Sequence, residues 1–147
     1  MTTKRAPLNL EGAGIPETDW HEGMLNGARF KGANLSRANV RKAQLFNSDF
    51  RDSVLDGADF RGSMLHNADL TGASMVATDL SYSVLNGAVF KNAKLIRTNF
   101  TMATMIGTQL EGVDLSQAVG LTVTQIRNAR IDNSTILPAY LPAIRAA

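Results

Sequence analysis

Large apolar residues recur at every fifth position of the chain over about one hundred residues. Counting in fives from Ile15 to Leu115 meets 21 residues, and every one of them is large and apolar. Two positions before each lies a second column, made of 11 Ala, four Ser, four Thr, Gly23 and Val113. A short period repeated this often predicts a repeat architecture.

The five-residue period fits neither a helix nor a continuous strand. Positions five apart are rotated by about 140° on an α-helix, so an apolar stripe would wander around it. On a strand an odd spacing would place successive large residues on opposite faces. The two columns, however, lie two residues apart and would share one face of a short extended segment. Gly or Asn, which accept positive φ, follows two residues after the large one in 11 of the 21 units.

A chain that turns after every five residues must coil around its own large side chains. Stacked coils would pair their backbones at about 4.8 Å, the spacing of strands in a sheet. The core aromatic residues all fall on multiples of ten, which indicates an even number of sides. Four sides would give 20 residues per coil. These aromatic residues are Trp20, Phe30, Phe50, Phe60, Phe90 and Phe100.

Three units carry the pattern A-(D/N)-L-X-X most clearly: Ala33-Asn34-Leu35, Ala58-Asp59-Phe60 and Ala68-Asp69-Leu70. In these units and over residues 13–117 the chain resembles the pentapeptide-repeat family. The resemblance implies an all-β fold, a right-handed quadrilateral parallel β-helix (a solenoid) of about five coils. It also implies that the small and the large residue of each unit both point inward.

Both ends of a solenoid need covering, because an open stack exposes backbone and core. Residues 1–12 are expected to form a lead-in whose Leu8 and Leu10 help to cover the first coil. Residues 118–147 are expected to form a short α-helical cap and tail, in which Thr122 and Gln125 make a capping box. The run from Gly120 to Pro138 also resembles tails that often follow bacterial pentapeptide repeats.

The apolar residues of the tail admit two interpretations. They form either a lid over the last coil or a contact with a second copy of the chain. The residues concerned are Ile126, Ile136, Leu137, Tyr140 and Leu141.

The sequence offers little chemistry. It has no cysteine, and His21 and His66 are expected to point outward from different walls. Nucleophile, phosphate-binding and zinc-protease motifs are missing from it. The carboxylates of Asp59, Asp69 and Asp79 are spaced by the repeat, which disfavours an acid/base pair. We therefore predict a non-enzymatic protein without a cofactor or metal site.

One wall of the expected solenoid is apolar and almost free of charge. Its outward residues are a candidate partner surface, although single apolar residues are also ordinary on soluble proteins. They are Met24, Phe46, Met64, Val84 and Ile106. The opposite wall carries a weaker version in Val54, Val76 and Ile96.

Charge bears on the best-known activity that the family resemblance implies, imitation of DNA by quinolone-resistance proteins that bind type II topoisomerases. A rod about 24 Å long would replace duplex carrying roughly 14 negative charges. Residues 13–117 carry 11 acidic and 10 basic side chains, a net charge of −1. This near-neutral balance disfavours binding to DNA gyrase by mimicry. Interleaved charges and inward-pointing aromatic residues likewise disfavour direct binding of nucleic acid.

The functional prediction is a scaffold that binds another protein, of unknown identity, or a second copy of itself. The alternative is a protein that binds a type II topoisomerase. The chain has no run of eighteen apolar residues, and its first residues lack an apolar signal segment. We therefore expect a cytoplasmic protein that does not enter a membrane.

Overall fold

Tight turns every five residues organise the computed structural model, which describes residues 6–144. Asn9 forms a parallel bridge with Arg29, and further bridges join positions 20 residues apart as far as Asn99 and Val119. Each bridge involves a single residue of each coil, so the described residues contain no longer strand. A coil therefore consists of four five-residue units, and the backbone follows a β-helix with four sides.

A β-turn follows each large residue. At Leu65, for example, the Ala68 amide donates to the Leu65 carbonyl at 3.0 Å, and Asn67 adopts a φ of 55°. Positive φ at the third residue defines a type II turn, which Gly and Asn tolerate best. Nine turns nevertheless place other residues in this left-handed region, at about 1–2 kcal/mol each. These are Glu17, Glu22, Arg37, Lys42, Asp52, Ala77, Tyr82, Arg97 and Met102.

The large and small columns fill the interior, as the sequence predicts. Phe50, Leu65 and Ala68 are at most 1% exposed. Phe30 and Phe50 belong to the same wall and stack with ring centroids 4.9 Å apart, whereas Phe60 meets Phe50 edge-on across the interior at 5.8 Å. The rings therefore pack both along the axis and across it.

Buried hydroxyl groups in the small column are satisfied in two ways. Ser63 donates to the carbonyl of Phe60 in its own turn at 2.7 Å. Thr78 instead donates to the carbonyl of Leu55, in the preceding coil, at 2.8 Å. Serine and threonine can therefore replace alanine without leaving an unpaired polar group inside.

The coil pattern begins before residue 13. Residues 8–12, which the sequence assigns to the lead-in, already contain the Asn9 bridge and a turn at Gly12 with a φ of 68°. Leu10 packs against the core, while Leu8 is 39% exposed. The first five residues of that lead-in lie outside the described residues.

The coil continues irregularly after Val119 and contains helix α1, Val123–Asn128. Thr122 caps α1 through the expected capping box with Gln125. The extra residues displace the later bridges: Gln109 pairs with Arg130 at a separation of 21 residues, and Asp114 with Ile136 at 22. The tail thus follows the coil path while leaving the five-residue period. Within residues 6–144, no helix has the length and apolar character needed to cross a membrane.

Candidate functional site

Within residues 6–144, one side of the coil carries no charged side chain. Its outward positions flank the buried column Leu25, Leu45, Leu65, Leu85 and Met105. Parallel bridges join Met24, Gln44, Met64, Val84 and Thr104 in succession, which places these residues in one line along the axis. We call this side the uncharged wall. Its ten outward residues are Met24, Asn26, Gln44, Phe46, Met64, His66, Val84, Asn86, Thr104 and Ile106.

The five candidate surface residues all belong to the uncharged wall, but their exposure differs. Met24 is 80% exposed, Ile106 62% and Met64 42%, so these three present most of their apolar surface to solvent. Phe46 and Val84 are half-buried. Met24, Met64 and Ile106 are therefore the residues most available for contact.

Phe46 is half-buried because it packs against His66. The two rings lie 4.6 Å apart between centroids and are tilted by 35°. Within the described residues, the Nδ1 atom of His66 is buried without a hydrogen-bond partner. The His66 ring thus covers part of the Phe46 ring. His21 lies on a neighbouring wall, 3.4 Å from Glu22, so the two histidines stay apart.

Asparagine side chains fasten successive coils on the uncharged wall. The Phe46 amide donates to Asn26 Oδ1 at 2.9 Å, and the Ile106 amide donates to Asn86 Oδ1 at 3.0 Å. Both bonds join positions 20 residues apart. They hold the wall rigid without adding charge.

Two exposed residues at the corner next to the uncharged wall are not among the residues predicted from the sequence. Tyr82 and Met102 occupy turn positions, with φ of 60° and 57°, and each is 66% exposed. Bulky residues replace Gly or Asn there, and this substitution is the signal that could have identified them. They widen the apolar surface near Val84 and Ile106.

A cleft of about 250 Å³ lies at the end of the uncharged wall, between the last regular coil and α1. The coil contributes the exposed apolar side chains of Met102 and Ile106, with the buried Met105 behind them. Helix α1 and its cap contribute Thr122, Gln125 and other polar residues. The cleft therefore continues the apolar surface of the wall.

The weaker opposite stripe is partly covered. Val54, Val76 and Ile96 are all half-buried. The Val76 amide donates to the carboxylate of Asp56 at 2.9 Å, so a charged group lies within this stripe. It is less suited to an apolar contact than the uncharged wall.

The candidate contact residues of the tail pack mainly within their own chain. Ile126 is fully buried, and Leu137 and Leu141 contact the core. The Tyr140 hydroxyl donates to the Ala118 carbonyl at 3.1 Å, although 56% of the residue is exposed. Ile136 is 52% exposed.

Charge is arranged in layers on the other walls. Residues 9–28 carry four acidic and no basic side chains, and residues 29–48 carry five basic and no acidic ones. Ion pairs join these two layers, for example Glu17 with Arg37. None of the ten ion pairs found among residues 6–144 involves the uncharged wall. They are His21–Glu22, Arg29–Glu11, Arg37–Glu17, Arg41–Asp59, Lys42–Glu22, Arg51–Asp49, Arg51–Asp69, Arg61–Asp59, Arg61–Asp79 and Arg130–Glu111.

Arginine partners keep two of the carboxylates ionised. Hydrogen bonds from the Arg51 side chain, at 2.9 and 2.7 Å, hold the pKa of Asp49 below its ordinary value. Partial burial raises the pKa of Asp59, but hydrogen bonds from Arg61 outweigh it and the pKa stays low. These groups act as ion-pair partners. Residues 6–144 contain no group of three or more His, Asp or Glu side chains that could hold a metal ion.

Solved structures similar to this one contain the same repeat. A pentapeptide repeat protein from the thylakoid lumen of Arabidopsis thaliana is 24% identical, with a TM-score of 0.55, over 89% of this chain and 83% of that one. Rfr23, a pentapeptide repeat protein from the cyanobacterium Cyanothece 51142, is 21% identical, with a TM-score of 0.51, over 88% of each chain. These likenesses show the fold alone.

A trypsin-treated M102R form of QnrB1, a plasmid-mediated fluoroquinolone resistance protein, is 20% identical over 90% of this chain and 83% of that one, with a TM-score of 0.33. No curated protein matches the chain significantly. The family described as pentapeptide repeats matches residues 21–52, 43–81 and 83–119, with eight copies. The chain therefore belongs to the pentapeptide-repeat family.

Proposed function

We propose that the protein is a non-enzymatic scaffold that binds another protein through its uncharged wall. The observation that carries this proposal is the concentration of exposed apolar residues on a side without charged groups, while ion pairs occupy the other sides. Interface centres are depleted in charge and enriched in aromatic residues and methionine. Met24, Met64 and Phe46 match that composition.

The uncharged wall is long enough to form such an interface. Five coils at about 4.8 Å make a face roughly 24 Å long. It is narrow, so the buried area falls at the low end for specific complexes, where transient contacts are found. We therefore expect a weak, reversible complex.

We also infer the finer features of the fold. The four-sided coil is right-handed, with about five regular turns, and the tail with α1 acts as a lid. Burial of Ile126 and the hydrogen bond from Tyr140 to Ala118 support the lid over the dimer contact. Light scattering of the purified protein tests this, with a monomer as the expected result and a stable dimer as the contradictory one.

Charged substitutions on the uncharged wall test the proposed function. Met64→Glu together with Ile106→Glu places two carboxylates where a partner would desolvate them. We expect loss of the complexes that the wild-type protein forms in an extract of its native cell. The matched control, Lys91→Glu with Gln117→Glu, adds even more negative charge at exposed sites on two other walls. Unchanged binding by the wall variant would refute the proposal.

Topoisomerase binding by DNA mimicry remains the alternative, and charge gives it no support. The five basic side chains in residues 29–48 interrupt any continuous acidic surface. A supercoiling assay with purified DNA gyrase and a fluoroquinolone decides it. Inhibition of supercoiling, or protection of gyrase from the fluoroquinolone, at micromolar protein would establish the alternative. Absence of both effects would exclude it.

The cytoplasmic location also remains a prediction. Fractionation of the native cell, followed by detection of the full-length protein, tests it. Recovery with the membrane or with another compartment would contradict it.

A further inference from the structure

We propose that the element docking on the uncharged wall is an amphipathic α-helix of a partner protein, lying along the coil axis. This inference rests on the proposed function and specifies the partner. Its apolar face would cover Met24, Phe46, Met64, Val84 and Ile106 in succession. Backbone pairing, spacing and charge each favour this occupant.

The backbone of the central coils of the uncharged wall leaves no place for an added strand. Met64 donates to the Ala43 carbonyl at 2.9 Å on one side, and Leu65 donates to the Val84 carbonyl at 2.8 Å on the other. The central coils are therefore paired with both neighbours. Strand addition needs a free edge, so a partner can recognise this central part of the wall only through side chains.

The spacing of the wall fits the pitch of a helix. Its five apolar residues occur one per coil, and four steps of about 4.8 Å span roughly 19 Å. A helix with one apolar residue per turn of 5.4 Å spans about 22 Å over four turns, and flexible methionines can absorb that small difference. Residues on one side of an extended strand repeat at about 6.6 Å and would span roughly 26 Å.

Charge restricts the face that the partner presents. A charged side chain pressed onto the uncharged wall would lose its hydration, and the charged groups at the adjoining corner, Glu22 and Lys42, already pair with each other at 3.9 Å. The facing positions of the partner must therefore be apolar or neutral. Its charged residues lie at the edges or on the far side, which gives the amphipathic pattern of a surface helix.

The cleft beside α1 supplies an anchor for this helix. Its volume is about 250 Å³, and Met102, Met105 and Ile106 line it. It opens at the end of the wall, where the last turn of a docked helix would lie. A large apolar side chain from that turn would enter the cleft and fix the position of the helix along the wall.

A second copy of the chain cannot supply the helix from its described part. Covering about 24 Å requires roughly 16 helical residues, because a helix rises 1.5 Å per residue. Helix α1 has 6 residues and is the one helix in residues 6–144. The described part of a second copy therefore does not provide the occupant.

Selection from two displayed peptide libraries tests the inference with the full-length protein. One library holds stapled 18-residue helices with variable apolar residues on one face, and the other holds extended peptides of alternating apolar and polar residues. Selected clones are measured against wild type, against Met64→Glu with Ile106→Glu, and against the control Lys91→Glu with Gln117→Glu. We expect helical clones that lose at least about tenfold in affinity on the wall variant, because it buries two unpaired charges, and that stay within about twofold on the control.

The outcomes separate this inference from the proposed function. Extended clones that depend on the wall, without helical ones, would overturn the helix and leave the wall as a protein-binding surface. Clones that bind both variants as well as wild type would show binding elsewhere and overturn both. Failure of the helical library to yield binders would overturn the helix inference. Formation of dimers through the wall, seen by light scattering, would overturn it as well.

Discussion

Asn86 and Ile106 lie in successive coils and are joined by a hydrogen bond of 3.0 Å, in which the Ile106 amide donates to Asn86 Oδ1. Asn26 and Phe46 repeat this relationship three coils earlier. On the uncharged wall, a neutral side-chain amide thus joins successive coils, as ion pairs do on other walls. This bond adds to the backbone hydrogen bonds that already pair the two coils, and it brings no charge to the wall.

Removal of the Asn86 amide should weaken the stack. Asn86→Ala leaves the Ile106 N–H to water, and Ile106 is 62% exposed, so we expect a loss of about 0.5–1 kcal/mol in the free energy of unfolding. Urea unfolding followed by circular dichroism measures it. Gln109→Ala is the control, because in residues 6–144 the Gln109 side chain makes no hydrogen bond. Equal stability of the two variants would contradict this role of Asn86.

The left-handed turns should respond in opposite directions to glycine and alanine. A methyl group at Gly107, where φ is 66°, would meet no heavy atom within 4 Å, so Gly107→Ala tests the backbone alone. We expect Gly107→Ala to lower the free energy of unfolding by about 1 kcal/mol. Ala77 already has a φ of 56°, which glycine adopts more easily than alanine. Ala77→Gly should therefore raise the free energy of unfolding by about 0.5–1 kcal/mol. Thermal and urea unfolding of both variants measure these changes. A more stable Gly107→Ala or a less stable Ala77→Gly would contradict the prediction.

Gln125 should control the attachment of α1. Its side-chain amide donates to the carbonyls of Phe100 at 2.8 Å and Ala103 at 2.9 Å, and it is only 8% exposed. Gln125→Leu leaves both carbonyls without this donor, so we expect a loss of about 2 kcal/mol. Hydrogen exchange should also become faster at Gly107, whose amide donates to the Asn128 carbonyl. Thr124→Ala, at an exposed site of the same helix, should leave that rate unchanged.

Acid should weaken the fold through Asp49 and Asp59. A carboxyl whose pKa is lower in the folded state stabilises the fold above its unfolded pKa, and this contribution disappears as pH falls through the folded pKa. Both pKa values are lowered, so the free energy of unfolding should decline as the pH falls from about 4 through the folded pKa values. Arg51→Gln should flatten this decline, as should Asp49→Asn. Denaturant unfolding at several pH values measures the slope, and an unaltered slope in both variants would refute the assignment.

The core and the position of every regular turn follow from the sequence because one short pattern determines both. A large residue every fifth position, with a small residue two places earlier, admits one way of burying both columns. Leu65 and Ala68 accordingly lie inside, fully buried. The candidate wall follows from the same register, since its residues sit beside the buried column.

The irregular features could not be derived from that pattern. The five-residue register places Tyr82 and Met102 at turns, but local preference alone would not predict their left-handed backbone, which inter-coil pairing fixes. The displaced bridge between Asp114 and Ile136 depends on how the tail accommodates extra residues around α1. The cleft beside Met105 results from this packing, so its existence required the structure.

Oxidation of methionine by dilute peroxide tests the binding role of the uncharged wall most directly. Met24, Met64 and Met102 are 80%, 42% and 66% exposed, whereas Met75 and Met105 are each 1% exposed and serve as internal controls. Sulfoxide formation at each site is followed by mass spectrometry in the purified protein and in an extract of its native cell. We expect Met24 and Met64 to react readily in the purified protein and to be protected in the extract. Equal oxidation of both methionines in the two preparations would contradict a partner-binding wall.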